Sequence, residues 1–571
     1  MKQKNYPLYE TTVFENFRVL TENAAAKFPQ DPALIYRLHP QDPTPITKTF
    51  TQLRDDCRDL GTGLIALGLR DHHCAIIGGS TYGWVISYFA LMSIGAVTVP
   101  LDQELPAVQM AQTLRAAGCS CIVYSAAMER KIREVRDLLA DDNILYICMM
   151  GTSTLADTKN LDDILADGSE RYAQGDQSYY DYDIDTQRMA TIVYTSGTTG
   201  KDKGVMLSQK NIVSDMTQGM YNFAITRKNM CVLPPHHTFC STVNFVGHLA
   251  QGACLYLSSG LRYILSELKE QQPTHLVLVP LFVETFYKKI WQTAEKTGKD
   301  KLLRRMMHVS NGMRRVGIDV RRQLFKSVTS AFGGKLEMII CGGAALPQKV
   351  IDTFDALGIT ILNGYGITEC SPLISCNRNR WQKQGSVGVP IIGEEVKIAD
   401  PDANGEGEIC VKGPNVMLGY YKDPEATAAA FDDEGFFKTG DYGRLDEDGW
   451  IYITGRLKNL IIFSNGKNVY PEEIETEISG VRGVKECVVY AGESKSDPQK
   501  EIIVAEIYPD EEELREHGIT DFQSYFEHAV DEINRRSVSY KRVGLVKLRD
   551  TEFEKNTSKK IIRFLIDRTI D

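Results

Sequence analysis

Tyr194-Thr-Ser-Gly-Thr-Thr-Gly-Lys-Asp-Lys-Gly204 is a run of small hydroxyl and glycine residues closed by two lysines. It follows Ala190-Thr-Ile-Val193, whose apolar and β-branched residues predict a buried strand. Glycine lets the backbone approach an anion closely, hydroxyls donate hydrogen bonds, and lysine adds positive charge. The stretch therefore predicts a phosphate-binding loop at a strand end, with a flexible Ser/Thr/Gly linker as the alternative. It is not a Walker A loop, because the GxxxxGK[ST] spacing is absent.

Two further glycine-rich runs also follow apolar runs that predict strands. Gly342-Gly-Ala-Ala-Leu-Pro347 comes after Leu336–Ile340, and Asn363-Gly-Tyr-Gly-Ile-Thr-Glu369 comes after Ile359–Leu362. Ligands of α/β proteins bind outside the carboxyl ends of parallel strands, where such loops lie. Because strand-like runs alternate with helical patterns through this part of the chain, we expect an α/β fold with mostly parallel sheets.

The length of 571 residues predicts more than one domain, because a single hydrophobic core rarely grows so large. We expect residues 1–455 to form a large N-terminal domain of two α/β subdomains. From about residue 385 to 455 the pattern changes to short strands with turns such as Asp446-Glu-Asp-Gly449, which predicts a small β-rich subdomain. Residues 456–571 are enough for a small, mobile α+β domain.

Charge and cysteine content exclude some functions and settings. The net charge of -10 argues against a nucleic-acid surface as the main function. The 13 cysteines are scattered and form no CxxC pair. This pattern favours a reducing, cytoplasmic setting over a disulfide framework or a zinc site.

One uncharged segment is long enough to raise the question of a membrane span. Residues from Cys74 to Leu101 include no Asp, Glu, Lys or Arg, but glycines and a proline interrupt them. The pieces predict a strand at Cys74–Ile77, a helix at Trp84–Ile94 and a strand at Ala96–Val99, which together make a buried βαβ unit. We therefore expect no transmembrane segment. Peripheral contact with a membrane stays open, although no basic amphipathic anchor is evident.

Three shorter motifs complete the series: Lys438-Thr-Gly-Asp441, Thr454-Gly-Arg456 and Thr557-Ser-Lys-Lys-Ile-Ile-Arg563. In this order, with the loops above, they resemble the motifs of the adenylate-forming (AMP-binding) superfamily over essentially the whole chain. Phe332–Leu346 and Gly364–Pro372 resemble bacterial long-chain fatty acyl-CoA synthetases most closely. The resemblance implies a ligase for a medium- to long-chain fatty acid. ATP and the acid form acyl-AMP and pyrophosphate, and coenzyme A then takes the acyl group.

The resemblance also implies an ATP site spread over several motifs. Adenylation brings two anions together, so hydrogen-bond donors and cations must offset their charge. The implied contacts are Thr195, Ser196, Gly197, Thr198, Thr199, Gly200 and Lys203 for the β- and γ-phosphates; Gly343, Ala344, Asn363, Gly364 and Tyr365 for adenine; and Asp441 and Arg456 for the ribose.

Four residues are catalytic by the same resemblance. Glu369 would bind Mg²⁺, since a carboxylate oxygen suits that hard cation, and Thr368 would contact the α-phosphate. His237 would lie between the acyl pocket and the nucleotide, and Lys560 would contact the carboxylate and the α-phosphate. From the residues alone, Glu369 could equally be a capping acid at a strand end and Lys560 part of a solvated basic face.

The second step of the reaction involves the C-terminal domain. Thiol attack needs the face of the acyl carbonyl that the lysine occupies, and the family rotates this domain between the two steps. The resemblance implies Lys458 as the hinge and Ser464, Gly466 and Lys467 as contacts to coenzyme A. Ser464-Asn-Gly-Lys-Asn468 also predicts an ordinary β-turn, because Asn-Gly favours one.

Two positions depart from the family pattern. Asp202 stands where the family usually has proline, which adds a negative charge beside the phosphate loop. Lys559 stands where the family often has glycine, so two adjacent lysines are candidates for the catalytic position. The spacing to Arg563 favours Lys560.

Two alternative functions stay open. The chain could transfer its acyl group to an acyl-carrier protein acting in trans, since nothing after Arg563 is long enough to be a carrier domain. It could also be a non-catalytic protein that binds nucleotide or acyl chain. The presence of Glu369, Asp441, Arg456 and a terminal lysine argues against that reading.

Overall fold

The computed structural model describes residues 6–196, 202–463, 468–496, 502–555 and 560–570. The chain divides into two compact units. One comprises Met1–Glu395 and Val411–Phe437, and the other comprises Val396–Cys410 and Lys438–Asp571. The boundary that the sequence suggests after residue 455 lies inside the second unit, so the division into an adenylation domain and a lid stays a prediction.

A nine-stranded sheet forms one half of the first unit. Its inner strands run parallel, whereas the pairs at its two edges are antiparallel. In order across the sheet, the strands are β16 (Val389–Pro390), β15 (Leu373–Cys376), β14 (Thr360–Gly366), β13 (Met338–Cys341), β12 (His275–Leu278), β10 (Lys228–Cys231), β11 (Cys254–Leu257), β1 (Pro32–Tyr36) and β2 (Ile46–Thr49).

An eight-stranded sheet forms the other half of this unit. The first two strand pairs at one edge are antiparallel, and all the other pairs are parallel. In order, its strands are β19 (Gly419–Tyr420), β9 (Asp202–Ser208), β8 (Met189–Ser196), β4 (Val97–Leu101), β3 (His73–Ile77), β5 (Cys121–Ser125), β6 (Leu145–Met149) and β7 (Thr158–Asn160).

The uncharged segment around residue 90 is the βαβ unit that the sequence predicts. Strands β3 and β4 pair in parallel, and the helix Tyr82–Ser93 between them is buried along its whole length. Thr81 caps this helix by accepting a hydrogen bond from the Trp84 amide. No helix within the described ranges is long and apolar enough to cross a bilayer.

Helices cover the sheets of the first unit. They are α1 (Phe17–Lys27), α2 (Phe50–Ala66), α3 (Tyr82–Ser93), α4 (Ala107–Ala117), α5 (Glu129–Leu139), α6 (Leu161–Ala173), α7 (Gln209–Asn222), α8 (His248–Ala250), α9 (Ile264–Gln271), α10 (Pro280–Lys296), α11 (Asp300–Arg315), α12 (Arg321–Leu324), α13 (Lys326–Thr329), α14 (Gln348–Ala356) and α15 (Pro424–Ala430). One apolar cluster packs against the nine-stranded sheet and another against the eight-stranded sheet.

The second unit contains three smaller sheets. A four-stranded sheet has the order β17 (Glu395–Ala399), β18 (Gly407–Lys412), β20 (Phe437–Leu445) and β21 (Ile451–Arg456). A two-stranded and a three-stranded sheet follow, with three helices. These are β22 (Ile461–Ile462), β23 (Asn468–Val469), β24 (Val484–Gly492), β25 (Ile502–Pro509) and β26 (Val543–Leu548), with α16 (Pro471–Ile478), α17 (Glu511–Glu516) and α18 (Phe522–Arg536).

The fold confirms the predicted class, an α/β chain with mostly parallel large sheets and smaller sheets beside them. One prediction about a strand end needs correction. Asn363–Gly366 does not follow the strand but belongs to it, because Gly364 and Tyr365 pair with Cys376 and Ser375 of β15. All 13 cysteines are buried, and none forms a disulfide.

Candidate active site

The predicted phosphate loop joins two antiparallel strands of the eight-stranded sheet. Thr195 lies opposite Lys203, and Ser196 opposite Asp202, at the open end of the β8–β9 pair. The connecting residues Gly197, Thr198, Thr199 and Gly200 fall outside the described ranges. The strand-then-loop arrangement predicted from the sequence is therefore present up to Ser196 and from Asp202 onwards.

Asp202, the residue that departs from the family pattern, is exposed. Its carboxylate oxygen Oδ2 accepts a hydrogen bond of 3.1 Å from Gln109 Nε2 on α4. This bond ties the start of β9 to a helix of the same unit. Since the carboxylate is solvated and already hydrogen-bonded, its charge is partly screened.

Tyr420 lies between two of the charged residues predicted to act on phosphate. Lys203 Nζ is 4.5 Å from the centre of the Tyr420 ring, which makes a cation–π contact. The Tyr420 hydroxyl donates a hydrogen bond of 3.0 Å to Glu369 Oε1. Burial and the Glu369 charge raise the pKa of Tyr420, so the hydroxyl keeps the proton that it donates. One side chain thus fixes the positions of a cation and an acid.

Glu369 is held by its backbone as well. It lies in the 3₁₀ turn Thr368–Cys370, and its carbonyl oxygen accepts a hydrogen bond of 2.8 Å from the Met417 amide. After the turn the chain passes close to the end of β14, and Gly366 leaves room for the Pro372 carbonyl group. A Cβ atom at Gly366 would lie 2.0 Å from the Pro372 carbonyl oxygen, so no other residue fits without a backbone shift.

Sequence reasoning missed a buried polar network behind this turn. Asn415 Nδ2 lies 2.9 Å from the Leu373 carbonyl oxygen and 3.1 Å from that of Cys370. It also lies 2.8 Å from Glu394 Oε2. Asp215 Oδ1 accepts a hydrogen bond of 2.9 Å from the Leu373 amide. The network therefore clamps the segment that immediately follows Glu369.

The two carboxyls of this network are held away from water. Burial raises the pKa of Asp215 well above its usual range, and the nearby Glu394 raises it further. Burial also raises the pKa of Glu394 well above its usual range. One sequence signal could have indicated this network. Asp215 lies on the apolar face of α7 with Ile212 and Met216, where an acid is unusual.

The predicted adenine residues meet where β13 and β14 end. Tyr365 is buried in β14, whereas Gly343 and Ala344 are exposed in the loop after β13. The two segments approach closely at Gly342, where a Cβ would lie 3.3 Å from the Gly364 carbonyl oxygen and 3.3 Å from Phe239 Cζ. Asn363 is fixed through its carbonyl oxygen, which accepts a hydrogen bond of 2.8 Å from the Asn377 amide.

His237 lies at the entrance to an unusual helix. Its carbonyl oxygen accepts hydrogen bonds of 2.9 Å from the amides of Cys240 and Ser241, which begin the π-helix Phe239–Gly247. π-Helical turns are rare and are frequent at functional sites. The neighbouring His236 has its Nε2 3.6 Å from Asp102 Oδ2, and burial lowers its pKa despite that carboxylate.

A buried histidine pair holds the far end of the π-helix. His248 Nδ1 is 2.6 Å from the Val243 carbonyl oxygen, and His248 Nε2 is 2.6 Å from His275 Nε2. Burial lowers the pKa of His248 to about 4 and that of His275 well below its usual range. The pair is therefore neutral near pH 7, with Nδ1 of His248 as a donor to the helix backbone.

The remaining predicted residues belong to the second unit. Arg456 Nε is 2.8 Å from Asp441 Oδ1, across the β20–β21 pair in which the two residues face each other. The Asp441 side chain is 3% exposed and that of Arg456 is 42% exposed, so the acid is enclosed while the guanidinium reaches solvent.

Lys560 interacts electrostatically with this ion pair. It is exposed as a residue, but partial burial of its ammonium lowers its pKa, as do the nearby Arg456 and Lys458, whereas Asp441 opposes them. Burial likewise lowers the pKa of Lys458, in the 3₁₀ turn Leu457–Asn459. Arg456, Lys458 and Lys560 thus all interact with Asp441, and such a group of cations suits an anionic ligand. The implied coenzyme A contacts Ser464, Gly466 and Lys467 lie outside the described residues.

Comparison with known proteins identifies the class to which this fold and these clusters belong. The family model for AMP-binding enzymes matches residues 21–421. The chain therefore belongs to the AMP-binding enzyme family.

Individual relatives agree with this assignment. The long-chain-fatty-acid–CoA ligase FadD15 of Mycobacterium bovis is 29% identical over 78% of this chain and 75% of its own length. The chloroplastic long-chain-fatty-acid–[acyl-carrier-protein] ligase AEE15 of Arabidopsis thaliana is 29% identical over 82% of this chain and 73% of its own. The solved structure of o-succinylbenzoate coenzyme A synthetase from Bacillus subtilis, in complex with ATP and magnesium ion, has a TM-score of 0.70. It is 22% identical and covers 96% of this chain and 98% of its own, which shows the shared fold.

Replacing Asp215 by asparagine should make folding less sensitive to pH. An unfolded aspartate titrates near pH 4, whereas its folded pKa is raised. The folded chain thus retains a proton that the unfolded chain loses, and the free energy of unfolding falls as pH rises from about 4 to the folded pKa. The asparagine side chain would keep the Oδ1 acceptor for Leu373 without titrating. We expect the midpoint of urea unfolding to fall less between acid and neutral pH in Asp215→Asn than in the wild type.

Asp137→Asn, at an exposed aspartate of α5, is the control for this measurement. It should follow the wild-type pH dependence. Parallel curves for the wild type and Asp215→Asn would contradict a raised pKa at Asp215.

Proposed function

We propose that the chain is an AMP-forming acid–thiol ligase for medium- to long-chain fatty acids. ATP and the acid react to give acyl-AMP and pyrophosphate, and the acyl group then passes to coenzyme A. The contact of Tyr420 with both Lys203 and Glu369 carries this proposal, because it supports a site built for phosphate and a cation together. The fatty acid is inferred from the names of relatives such as FadD15.

Glu369 fits the magnesium ion that this chemistry needs. Mg²⁺ is commonly held by one or two carboxylates, substrate phosphates and water, so a single protein acid suffices. Among the described residues, no group of three or more His, Cys, Asp and Glu could hold a metal. The bound ion would supply positive charge to the phosphate oxygens during adenylation.

The protein side chains would supply the rest of the charge compensation. We assign the β- and γ-phosphates to Thr195, Lys203 and the loop between them, and the α-phosphate to Thr368. Tyr365, with the Gly343–Ala344 segment, would hold adenine, and Asp441 would accept hydrogen bonds from the ribose hydroxyls. Lys203, held against the Tyr420 ring, would be positioned before ATP binds, which avoids reorganisation during the reaction.

Lys560 would act in the first step only. A carboxylate that attacks the α-phosphate needs its own charge offset as well as that of the phosphate. The excess positive charge around Asp441, from Arg456, Lys458 and Lys560, supports a lysine in that role. Lys458 remains our candidate for the hinge that would release Lys560 before thiol attack, and His237 our candidate for the boundary between acyl chain and nucleotide.

Transfer to an acyl-carrier protein is the second candidate function. The plant relative named as a long-chain-fatty-acid–[acyl-carrier-protein] ligase has the same level of identity as FadD15. From a panel of acids ranging from acetate to oleate, the purified chain should convert the longer ones to adenylate, measured by the pyrophosphate that the same step releases. The acceptor that then yields thioester decides between the two functions. No adenylate with any acid would contradict both.

Lys560→Ala should separate the two half-reactions. We expect adenylate formation from acid and ATP to fall at least about a hundredfold, since one transition-state donor is lost. Thioester formation from supplied acyl-AMP should be nearly unchanged. Lys559→Ala is the matched control, because it removes the adjacent lysine and should leave both rates close to wild type. Equal losses in both assays for Lys560→Ala would overturn the proposed role.

Tyr420→Phe should weaken the response to magnesium. It removes the hydroxyl that orients Glu369, and loss of a partner that orients a metal ligand weakens metal binding about tenfold or more. We expect the half-saturating Mg²⁺ concentration for adenylate formation to rise by about that factor, with a smaller change at saturating Mg²⁺. Tyr421→Phe should behave as wild type, because the Tyr421 hydroxyl donates to the Ala117 carbonyl oxygen and not to Glu369. An unchanged Mg²⁺ response in Tyr420→Phe would exclude this positioning role.

A further inference from the structure

One segment of the first unit has a charge opposite to that of the whole chain. Residues 296–326 include ten Lys and Arg residues and only two Asp, a formal charge of +8, whereas the chain carries -10. The segment comprises the end of α10, all of α11 and the turns up to α13. A local excess of positive charge of this size is typical of a surface that binds an anionic partner.

Helix α11 fixes the orientation of this charge. Its inward face is defined by Leu303 and Ser310, which are buried, and by Met306 and Met307, which pack against the core of the nine-stranded sheet. Arg314 Nη1 pairs with Asp355 of α14 at 2.6 Å and ties the end of the helix down. These contacts fix the rotation of the helix, and therefore determine which of its residues face solvent.

That opposite face is apolar as well as basic. Leu302, Val309 and Val316 are spaced by seven residues, so they share one stripe of a helix with 3.6 residues per turn. They are 55%, 53% and 73% exposed, and Ile318 in the turn after the helix is 50% exposed. Large aliphatic side chains in a row at this exposure are unusual on a surface that contacts only water.

Several of the basic side chains that flank the stripe are exposed and are not paired with an acid in the described part of the chain. Within the ranges that the structure describes, Lys301, Arg305 and Arg315 make no ion pair, and all three are exposed. By contrast, Arg321 is paired with Asp319 and Asp355. The positive charge next to Leu302 and Val309 is thus available to an external anion.

We propose that the outward face of α11 docks the protein on the surface of a bilayer that contains anionic phospholipid. Aliphatic side chains would enter the boundary between headgroups and acyl chains, while lysine and arginine contact the headgroup phosphates. A nucleic acid would also attract the positive charge, but it would gain nothing from Leu302, Val309 and Val316. The combination of both features on one face favours lipid.

This surface differs from the expectation at the sequence level, where no basic amphipathic anchor was evident. The signal is present in Asp300-Lys-Leu-Leu-Arg-Arg-Met-Met-His-Val309 but lies in the middle of the chain rather than at a terminus. Only the structure separates the inward leucine, Leu303, from the outward one, Leu302.

Flotation with lipid vesicles tests the proposal on the full chain. The wild type should bind vesicles of phosphatidylcholine mixed with phosphatidylglycerol, bind those of phosphatidylcholine alone at least about tenfold more weakly, and dissociate as salt is raised. Lys301→Glu/Arg305→Glu should reduce binding at least about tenfold. Leu302→Ser/Val309→Ser should also weaken binding, and the binding that remains should depend more steeply on salt.

The control has the same charge change at exposed residues outside the segment. Arg130→Glu/Lys159→Glu also replaces one lysine and one arginine, and it should bind vesicles as the wild type does. Equal losses in both charge variants, or no binding of the wild type to phosphatidylglycerol vesicles, would overturn the proposal. So would binding to a single-stranded RNA homopolymer that is tighter than vesicle binding and insensitive to Leu302→Ser/Val309→Ser.

Two checks separate this result from folding and from catalysis. The replaced side chains are exposed, so all variants should keep the wild-type thermal unfolding midpoint. If an α11 variant unfolds at a lower temperature than the wild type, its vesicle binding is set aside. The dependence of wild-type binding on salt and on lipid composition then tests the proposal. The assay contains neither ATP nor acid, so a failure to bind lipid leaves the proposed ligase activity intact.

Discussion

The contact of Tyr420 with Lys203 and Glu369 connects the parts of the proposed phosphate site. A cation and an acid this close to one ring attract each other and could form an ion pair. The phenol ring prevents this by offering its face to the ammonium and its hydroxyl to the carboxylate. Each charge is therefore positioned without being neutralised. The buried network around Asn415 holds the same turn from the other side.

This arrangement depends on the antiparallel edge of the eight-stranded sheet. Tyr420 is in β19, which pairs with β9, and β9 contains Lys203. The edge strand β19 is only two residues long, yet it aligns a tyrosine from beyond residue 400 with a lysine near residue 200. The predicted phosphate loop therefore adjoins a contact that a segment distant in sequence supplies.

Much of the fold could be predicted, and most residues of the candidate site could be proposed, because their signals are local. The βαβ unit around α3 is a contiguous apolar stretch with glycine breaks, and the loops at Thr195, Gly343 and Glu369 are contiguous motifs. Contacts between distant segments could not be predicted. Asp215 and Asn415 are 200 residues apart, and neither belongs to a motif. The end of β14 was predicted too early, because its last residues are strand only by pairing with β15.

The buried thiols have a practical consequence for following motions of this chain. All 13 are buried, and burial raises the pKa of thiols such as Cys57 and Cys487, which makes these two less reactive in the native state. A small alkylating reagent can then reach them only after local opening. Cys410 and Cys487 belong to the second unit and the other thiols to the first. The rate at which each cysteine is alkylated, measured by mass spectrometry, would therefore report local opening in each unit separately.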